Sequence, residues 1–204
     1  ISFYFFKVSG LSMPVGFKNS TAGNFQIASD AIGSARNPHA FLSVTKQGLA
    51  AIVHTNGNPD CHCILRGGHS GPNYEPQYVK ECTDILRKDG ANPRIIVDCS
   101  HGNSRKIHTN QPIVAKSVSD QMSNGNNDIV GVMVESNLTA GKQKYTPGVS
   151  DFSKLAYGQS ITDACVDVPS TDVLLSGLAE GVRTRRAMNR SGKGSMKADS
   201  LPIK

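Results

Sequence analysis

The chain has 204 residues, 38% of them hydrophobic, and a formal net charge of +6, a composition typical of one globular domain with its own core. No apolar run approaches the ~20 residues that a membrane-spanning helix needs, so we expect no membrane partner. From Arg183 onward seven basic residues stand against one acidic residue, and the remainder is neutral overall. No aromatic residue lies among those basic residues, so we expect no nucleic-acid partner.

The cysteine pattern indicates a reducing compartment. The chain has five cysteines, at positions 61, 63, 82, 99 and 165, and its N-terminal apolar stretch is too short for a secretory signal. An odd and scattered set favours free thiols over a disulfide framework. We therefore expect a cytoplasmic protein.

The first third of the chain begins with a strand and a helix and then departs from that rhythm. Residues 14–17 are a short apolar run typical of a strand, and apolar residues at helical spacing predict a helix over residues 22–35. Residues 41–45 and 49–53 predict a β-hairpin that turns at residues 46–48. We expect this hairpin to be an addition outside the main sheet.

Strand and helix then alternate. Apolar runs that predict strands end at Arg66, Asp98 and Glu135, and the run before Asp98 is continuous enough to predict a strand covered on both faces. The remaining helices are predicted near residues 78–86, 113–122 and 171–186, and a long polar loop is predicted over residues 136–154.

This element order predicts an α/β fold. Repeated strand–helix units with charged strand ends are typical of a (β/α)8 barrel or of a doubly wound parallel sheet. No strand is followed by a G-x-G-x-x-G turn, which argues against a dinucleotide-binding sheet. A complete barrel has eight strands and ~250 residues. We therefore expect a partial (β/α)8 TIM barrel of about four βα units with an inserted β-hairpin.

Four strand ends place charged or imidazole side chains at equivalent positions. Lys18, Arg66, His101 and Glu135 each follow an apolar run, and the carboxyl ends of parallel strands share one edge of a sheet. The two cations at matching strand ends indicate an anionic, phosphorylated substrate. The alternative is that each is an ordinary solvated residue.

One imidazole and two carboxylates near this edge could bind a metal. His101, Glu135 and Asp163 offer one nitrogen and two oxygen donors, a set that suits Mn²⁺, Fe²⁺, Co²⁺ or Zn²⁺. A hydrogen-bonded histidine with two salt-bridged acids explains the same residues equally well. We interpret Cys61-His62-Cys63 with His69 as buried thiols beside a surface histidine, because the cysteine spacing does not match a structural zinc site.

Seven blocks of the sequence closely resemble, in order, signatures of the class I 3-deoxy-D-arabino-heptulosonate 7-phosphate (DAHP) synthases. They are residues 10–19 (GLSMPVGFKN), 38–46, 57–62, 64–68 (ILRGG), 98–104 (DCSHGNS), 131–137 (GVMVESN) and 157–165. The resemblance extends from about residue 10 to residue 186.

The resemblance implies a (β/α)8 barrel enzyme of the shikimate pathway that condenses phosphoenolpyruvate with erythrose 4-phosphate. By motif, Lys18 and Arg66 correspond to ligands of the phosphoenolpyruvate anion, and His101, Glu135 and Asp163 correspond to metal ligands. A divalent metal acts in such an enzyme as a Lewis acid on the aldehyde oxygen. Lys18, Arg66 and His101 are therefore the expected catalytic residues.

Other family motifs are missing. The Gly-Pro-Cys strand that carries the fourth metal ligand and the Lys-Pro-Arg-Thr and Gly-Ala-Arg-Thr strands of the substrate sites do not occur. We therefore divide the chain into a stretch unlike the family (residues 1–9), the C-terminal half of the barrel (10–187) and a basic disordered tail (188–204). We expect the chain alone to be inactive.

The predicted hairpin matches the part of the family that binds an aromatic amino-acid inhibitor. Ser12 and Ser43 fall at positions associated with that site, and a serine at position 43 implies phenylalanine rather than tyrosine as the effector. The resemblance also implies a homo-oligomer for the complete enzyme. Two alternatives stay open. One is another phosphoenolpyruvate-condensing aldol-type barrel, such as a related octulosonate phosphate synthase. The other is a non-catalytic product, either a truncated paralogue that associates with full-length subunits or a pseudogene fragment.

Overall fold

The structure, a computed structural model, describes residues 7–148 and 150–192. Within these residues the strands are β1 (Val15–Lys18), β2 (Ala40–Val44), β3 (Ala50–His54), β4 (Cys61–Leu65), β5 (Ile95–Asp98), β6 (Ile129–Met133), β7 (Thr139–Lys142) and β8 (Gln159–Ser160). The α-helices are α1 (Gln26–Arg36), α2 (Pro76–Lys88), α3 (Gln111–Ser123) and α4 (Val168–Arg190).

The main sheet has four parallel strands in the order β1-β4-β5-β6. After β1, β4, β5 and β6 the chain returns through α1, α2, α3 and α4 respectively, so strand and helix alternate. The predicted α/β fold with a parallel sheet is therefore confirmed.

One face of the sheet carries the core. In β4, Cys61, Cys63 and Leu65 are buried, whereas His62 and Ile64 on the opposite face are half-buried. The buried face packs against apolar residues of the four helices, including Ile32, Leu86, Val118 and Leu174. Strand β5 was predicted to be covered on both faces. Its Ile96 is instead partly exposed, because the helices cover only one face.

The predicted hairpin is confirmed. Strands β2 and β3 pair antiparallel in a sheet of their own, with Ser43 opposite Ala51. Leu42 and Ile52 on this hairpin are exposed, which agrees with an addition outside the core.

The prediction of a long polar loop over residues 136–154 was wrong in part. This region contains β7 and a 3-10 helix (Phe152–Lys154), and β7 pairs with β8 in a small second sheet. The sequences of β7 and β8, TAGK and QS, lack an apolar alternation. They form strands because tertiary contacts override local propensity.

The predicted chain ends also need correction. Helix α4 continues to Arg190, so residues 188–190 of the predicted tail are helical, because Arg185 and Asn189 anchor this end to residues 126–129. Residues 193–204 lie outside the described part. Near the N-terminus, Val8 packs against the core and Ser9 bonds to Thr55 at 2.7 Å. None of the described helices is long and apolar enough to cross a membrane.

Candidate active site

The carboxyl edge of the main sheet positions the predicted site residues. Lys18 is the last residue of β1, and Arg66 directly follows β4. His101 and Glu135 lie just beyond the ends of the neighbouring strands β5 and β6. The parallel pairing of these strands therefore brings the four positions to one edge.

Three possible metal donors lie close together. One ligand atom each from His101, Glu135 and Asp163 lies within 4.8 Å of the others. The imidazole Nε2 is 3.7 Å from Glu135 Oε1 and 3.9 Å from Asp163 Oδ2. Donors that share an ion at ~2.0–2.2 Å are themselves separated by about 3–4 Å. Both the donor set and its spacing therefore fit a divalent transition metal.

Asp98 connects this group to Lys18. Its fully buried carboxylate places Oδ2 2.9 Å from Lys18 Nζ and 2.8 Å from His101 Nδ1. A metal-binding histidine commonly has a carboxylate on its second ring nitrogen, which orients the ring. Sequence reasoning did not assign Asp98, although an acid that ends a buried strand is a signal that could have found it.

Glu135 is held from two directions. Ser100 Oγ donates to Glu135 Oε2 at 2.6 Å. The buried Gln111, first residue of α3, accepts from the backbone N–H of Glu135 at 2.9 Å and donates to its carbonyl at 3.0 Å. The start of α3 therefore fixes the end of β6. Sequence patterns gave no signal for this pairing, because the two residues are distant in the chain.

Buried asparagines fix the strand ends that carry Lys18 and Arg66. Asn19 Oδ1 accepts from the backbone N–H of Arg66 at 2.8 Å, and Asn19 Nδ2 donates to the carbonyl of Gly67 at 3.0 Å. Asn103 Nδ2 donates to the carbonyls of Leu65 and Asp98. These hydrogen bonds join the ends of β1, β4 and β5, and the side chains that form them are uncharged amides.

The backbone at this edge is tightly packed and strained. Gly67 has φ +73°, and a Cβ added there would lie 2.5 Å from the carbonyl carbon of Gly102. His101 has φ +46°, which is uncommon for a residue with a side chain and is maintained only where its surroundings impose it. The loops after β4 and β5 therefore constrain each other.

Arg66 is the site residue least connected to the others. Its backbone is anchored by Asn19 and by Gly102, but its guanidinium makes no salt bridge to any of the described residues. The side chain is half-buried. Its charge is therefore available to an anion.

Cysteines contribute no donor to the described cluster. Cys61 and Cys63 are buried on the face of β4 opposite to His62, and His69 is exposed, which agrees with the interpretation of buried thiols beside a surface histidine. A hydrogen bond with Cys63, together with burial, raises the pKa of the Cys82 thiol. Burial also raises the pKa of Cys165, which lies near Glu135 and Asp163.

The two serines at the expected effector site lie in different surroundings. Ser12 lines a polar cavity of about 380 Å³ together with Ser9, His54 and Asn58. Ser43 lies on β2 and does not line that cavity. The structure therefore does not bring these two residues into one described pocket.

Known proteins resemble most of the chain. A family model described as the DAHP synthetase I family matches residues 4–176, so the match begins inside the stretch that was predicted to be unlike the family. A tyrosine-inhibited phospho-2-dehydro-3-deoxyheptonate aldolase of Schizosaccharomyces pombe is 53% identical over 185 residues, which are 90% of this chain and 49% of the relative. A Phe-sensitive enzyme of that name from Escherichia coli is 50% identical over 87% of this chain and 49% of its own length.

A solved structure agrees with these matches. The phospho-2-dehydro-3-deoxyheptonate aldolase of Francisella tularensis superposes with a TM-score of 0.84 at 47% identity, over 91% of this chain and 52% of the solved chain. The chain thus spans about half the length of the relatives that it matches. On the strength of the family match and of identities near 50%, the chain belongs to the DAHP synthetase I family.

Proposed function

We propose that this chain supplies half of the active site of a 3-deoxy-7-phosphoheptulonate (DAHP) synthase. That enzyme condenses phosphoenolpyruvate with erythrose 4-phosphate and water to give DAHP and phosphate, the first step of the shikimate pathway. The observation that carries the proposal is the convergence of His101, Glu135 and Asp163 beside the Lys18–Asp98 pair at one sheet edge. Family membership and the names of the relatives support it.

Lys18 and Arg66 act in this proposal on the anionic substrate. Arg66 offers a planar fork that suits a phosphate or a carboxylate, and Lys18 offers a point charge. Together they hold phosphoenolpyruvate so that its C3 faces the aldehyde of the aldose. The new C–C bond forms at C3, water adds at C2, and phosphate leaves with cleavage of its C–O bond.

His101, Glu135 and Asp163 are the proposed ligands of a divalent metal. A bound ion would supply Lewis-acid polarisation of the aldehyde oxygen. One imidazole and two carboxylates accept Mn²⁺, Fe²⁺, Co²⁺ or Zn²⁺. Asp98 keeps Nδ1 of His101 oriented, and Ser100 with Gln111 keeps Glu135 at the edge of the sheet.

The main sheet is, in this proposal, four strands of a (β/α)8 barrel. Its four parallel strands with following helices and its likeness to about half of a longer solved chain support this.

The complete enzyme would be a homo-oligomer regulated by an aromatic amino acid. We propose phenylalanine, with Ser12 and Ser43 at the effector site, although relatives of both the Phe- and the Tyr-inhibited kind are similar to this chain. The five free thiols of this chain suit a cytoplasmic location, which we also propose.

A chimera tests the proposed function. This chain would replace the corresponding half of the S. pombe relative, and the loss of phosphoenolpyruvate and the release of phosphate would be followed with Mn²⁺ present. We expect turnover by the chimera and a loss of ~100-fold or more in Lys18→Ala, Arg66→Ala and His101→Ala. Asp128→Asn, at a half-buried residue that pairs with Arg87 away from the site, is the matched control. A folded chimera without turnover would contradict the proposal.

The separate chain should be inactive. It holds three of the proposed metal ligands and two of the proposed anion ligands, and the motifs for the other ligands are absent from its sequence. Ordinary turnover by the purified 204-residue chain would refute this expectation.

The second candidate, a non-catalytic partner of full-length subunits, is favoured by the half-length match alone, and it predicts an inactive chimera.

A further inference from the structure

One carboxylate oxygen serves both halves of the proposed site. Asp98 Oδ2 contacts Lys18 Nζ at 2.9 Å and His101 Nδ1 at 2.8 Å, while Oδ1 accepts from the backbone N–H of Ser100 at 2.9 Å. The Asp98 side chain has no exposed surface, whereas Lys18 retains 36% of its own. Lys18 therefore connects the buried carboxylate of Asp98 to the solvent-exposed side of the sheet edge.

The burial of Asp98 gives these contacts their importance. A charge removed from water must be balanced by nearby opposite charge or by hydrogen bonds. Here the balance comes from the ammonium of Lys18 and one backbone N–H, and the imidazole of His101 lies in contact with the same carboxylate. A change in any one of these partners must be compensated by the other two.

The contact to His101 can still strengthen. Asp98 Oδ2 lies at hydrogen-bonding distance from Nδ1, yet the angle is not that of a hydrogen bond, and Nδ1 has no other partner among the described residues. The opposite ring nitrogen, Nε2, faces Glu135 and Asp163. A small reorientation of the Asp98 carboxylate therefore acts directly on the ring that offers Nε2 to a metal.

We propose that Asp98 is a positioning residue that couples the anion site at Lys18 to the metal site at His101. This inference rests on the proposed function of both sites. An anion that binds the Lys18 ammonium weakens the contact between Lys18 and Asp98. The Asp98 carboxylate then interacts more strongly with Nδ1 of His101, and the imidazole binds a cation at Nε2 more tightly. By linkage, a metal on His101 strengthens anion binding at Lys18 by the same factor.

The coupling is measured by calorimetry on the 204-residue chain. Mn²⁺ would be titrated with and without saturating phosphoenolpyruvate, and phosphoenolpyruvate with and without Mn²⁺, after correction for the binding of the two ligands to each other. We expect each ligand to tighten the other on the order of fivefold or more. In Asp98→Asn both ligands should still bind, but the coupling factor should fall to about twofold or less. The coupling that remains comes from direct electrostatic attraction between the two ligands. Asp128→Asn should leave the coupling unchanged.

A second variant covers the case in which Asp98→Asn does not fold. Lys18→Gln removes the competitor for Asp98 Oδ2, so it should tighten Mn²⁺ without any anion by a few-fold. Where both variants fold, the double variant should lose this gain.

The outcomes separate the two claims. A folded Asp98→Asn that keeps the wild-type coupling, or an Mn²⁺ affinity that Lys18→Gln does not change, would overturn the inference and leave the proposed sites standing. A wild-type chain that binds neither ligand would overturn the proposed sites and this inference together.

Discussion

At the scale of single residues, the backbone contact between Gly67 and Gly102 constrains the loops that carry the candidate site. An alanine at position 67 would need φ +73° and would meet the backbone of Gly102 at 2.5 Å. We predict that Gly67→Ala destabilises the fold by about 2 kcal/mol or more and weakens Mn²⁺ binding, because the neighbouring His101 is displaced. Urea unfolding and calorimetry measure the two effects.

Gly33 provides the matched control for that substitution. It lies within α1, and a Cβ there meets nothing within 4 Å. Gly33→Ala should be neutral or stabilise the chain by up to ~1 kcal/mol. Equal effects of the two substitutions would show that the loop contact does not constrain the site.

Cys99 predicts a dependence of stability on alkaline pH. Burial raises the pKa of its thiol to about 12, whereas in the unfolded chain it titrates near 8.5. Below pH ~8.5 both states keep the proton and stability does not depend on this group. Between that pH and about 12 only the unfolded state releases it, so the free energy of unfolding falls by up to ~1.4 kcal/mol per pH unit.

Cys99→Ala isolates this contribution. The variant should lose less stability than the wild type between pH 8 and pH 10.5 in urea unfolding, although its stability at pH 7 is lower because it leaves a cavity. Parallel pH dependences for the two proteins would show that Cys99 does not retain its proton on folding.

At the scale of elements, Arg185 is one of two residues that anchor the C-terminal end of α4. Arg185 Nη1 donates to the carbonyls of Asn126 at 2.9 Å and Ile129 at 2.8 Å. Arg185→Met keeps an apolar stem and removes these bonds, so it should lower the free energy of unfolding by about 2 kcal/mol. Arg183→Met, which removes an exposed pair with Glu180, should cost less than ~0.5 kcal/mol. Similar losses in thermal unfolding of the two variants would contradict this anchoring role.

The sequence predicted those elements whose residues follow a regular period. The helices have apolar residues at helical spacing, and the hairpin and the four main strands are short apolar runs, so burial of these residues predicts their positions. Strands β7 and β8 were missed because neither TAGK nor QS has such a pattern. The continuation of α4 to Arg190 was missed because it depends on contacts with a loop about 60 residues earlier in the chain.

The candidate site was predictable to a similar degree. Lys18, Arg66, His101 and Glu135 could be identified because parallel strands deliver their ends to one edge. Asp98, Asn19 and Gln111 act through specific hydrogen bonds between distant segments. No periodicity encodes such bonds. Of the three residues only Asp98, the acid that ends a buried strand, has a sequence signal that could have found it.

At the scale of the whole molecule, the main sheet leaves both edges unpaired within the described residues. Strands β1 and β6 each have one neighbour in the sheet, and Val130 on the edge strand β6 is 53% exposed. Open edges and exposed apolar surface favour association. We predict concentration-dependent self-association of the separate chain in sedimentation velocity, reduced by Val130→Lys. Ile27→Lys, on the outer side of α1, should not change it.

Asp163, the third possible metal donor, belongs to a different part of the molecule from His101 and Glu135. Asp163 follows β8. An isolated bridge from Gly141 to Cys165 pairs its segment with β7, and an isolated bridge from Ser136 to Val166 joins it to the segment that follows β6. Asp163 is also the most exposed of the three donors. On warming, this small sheet should therefore open before the main sheet melts, so an ion bound here would be released at a lower temperature than that of global unfolding.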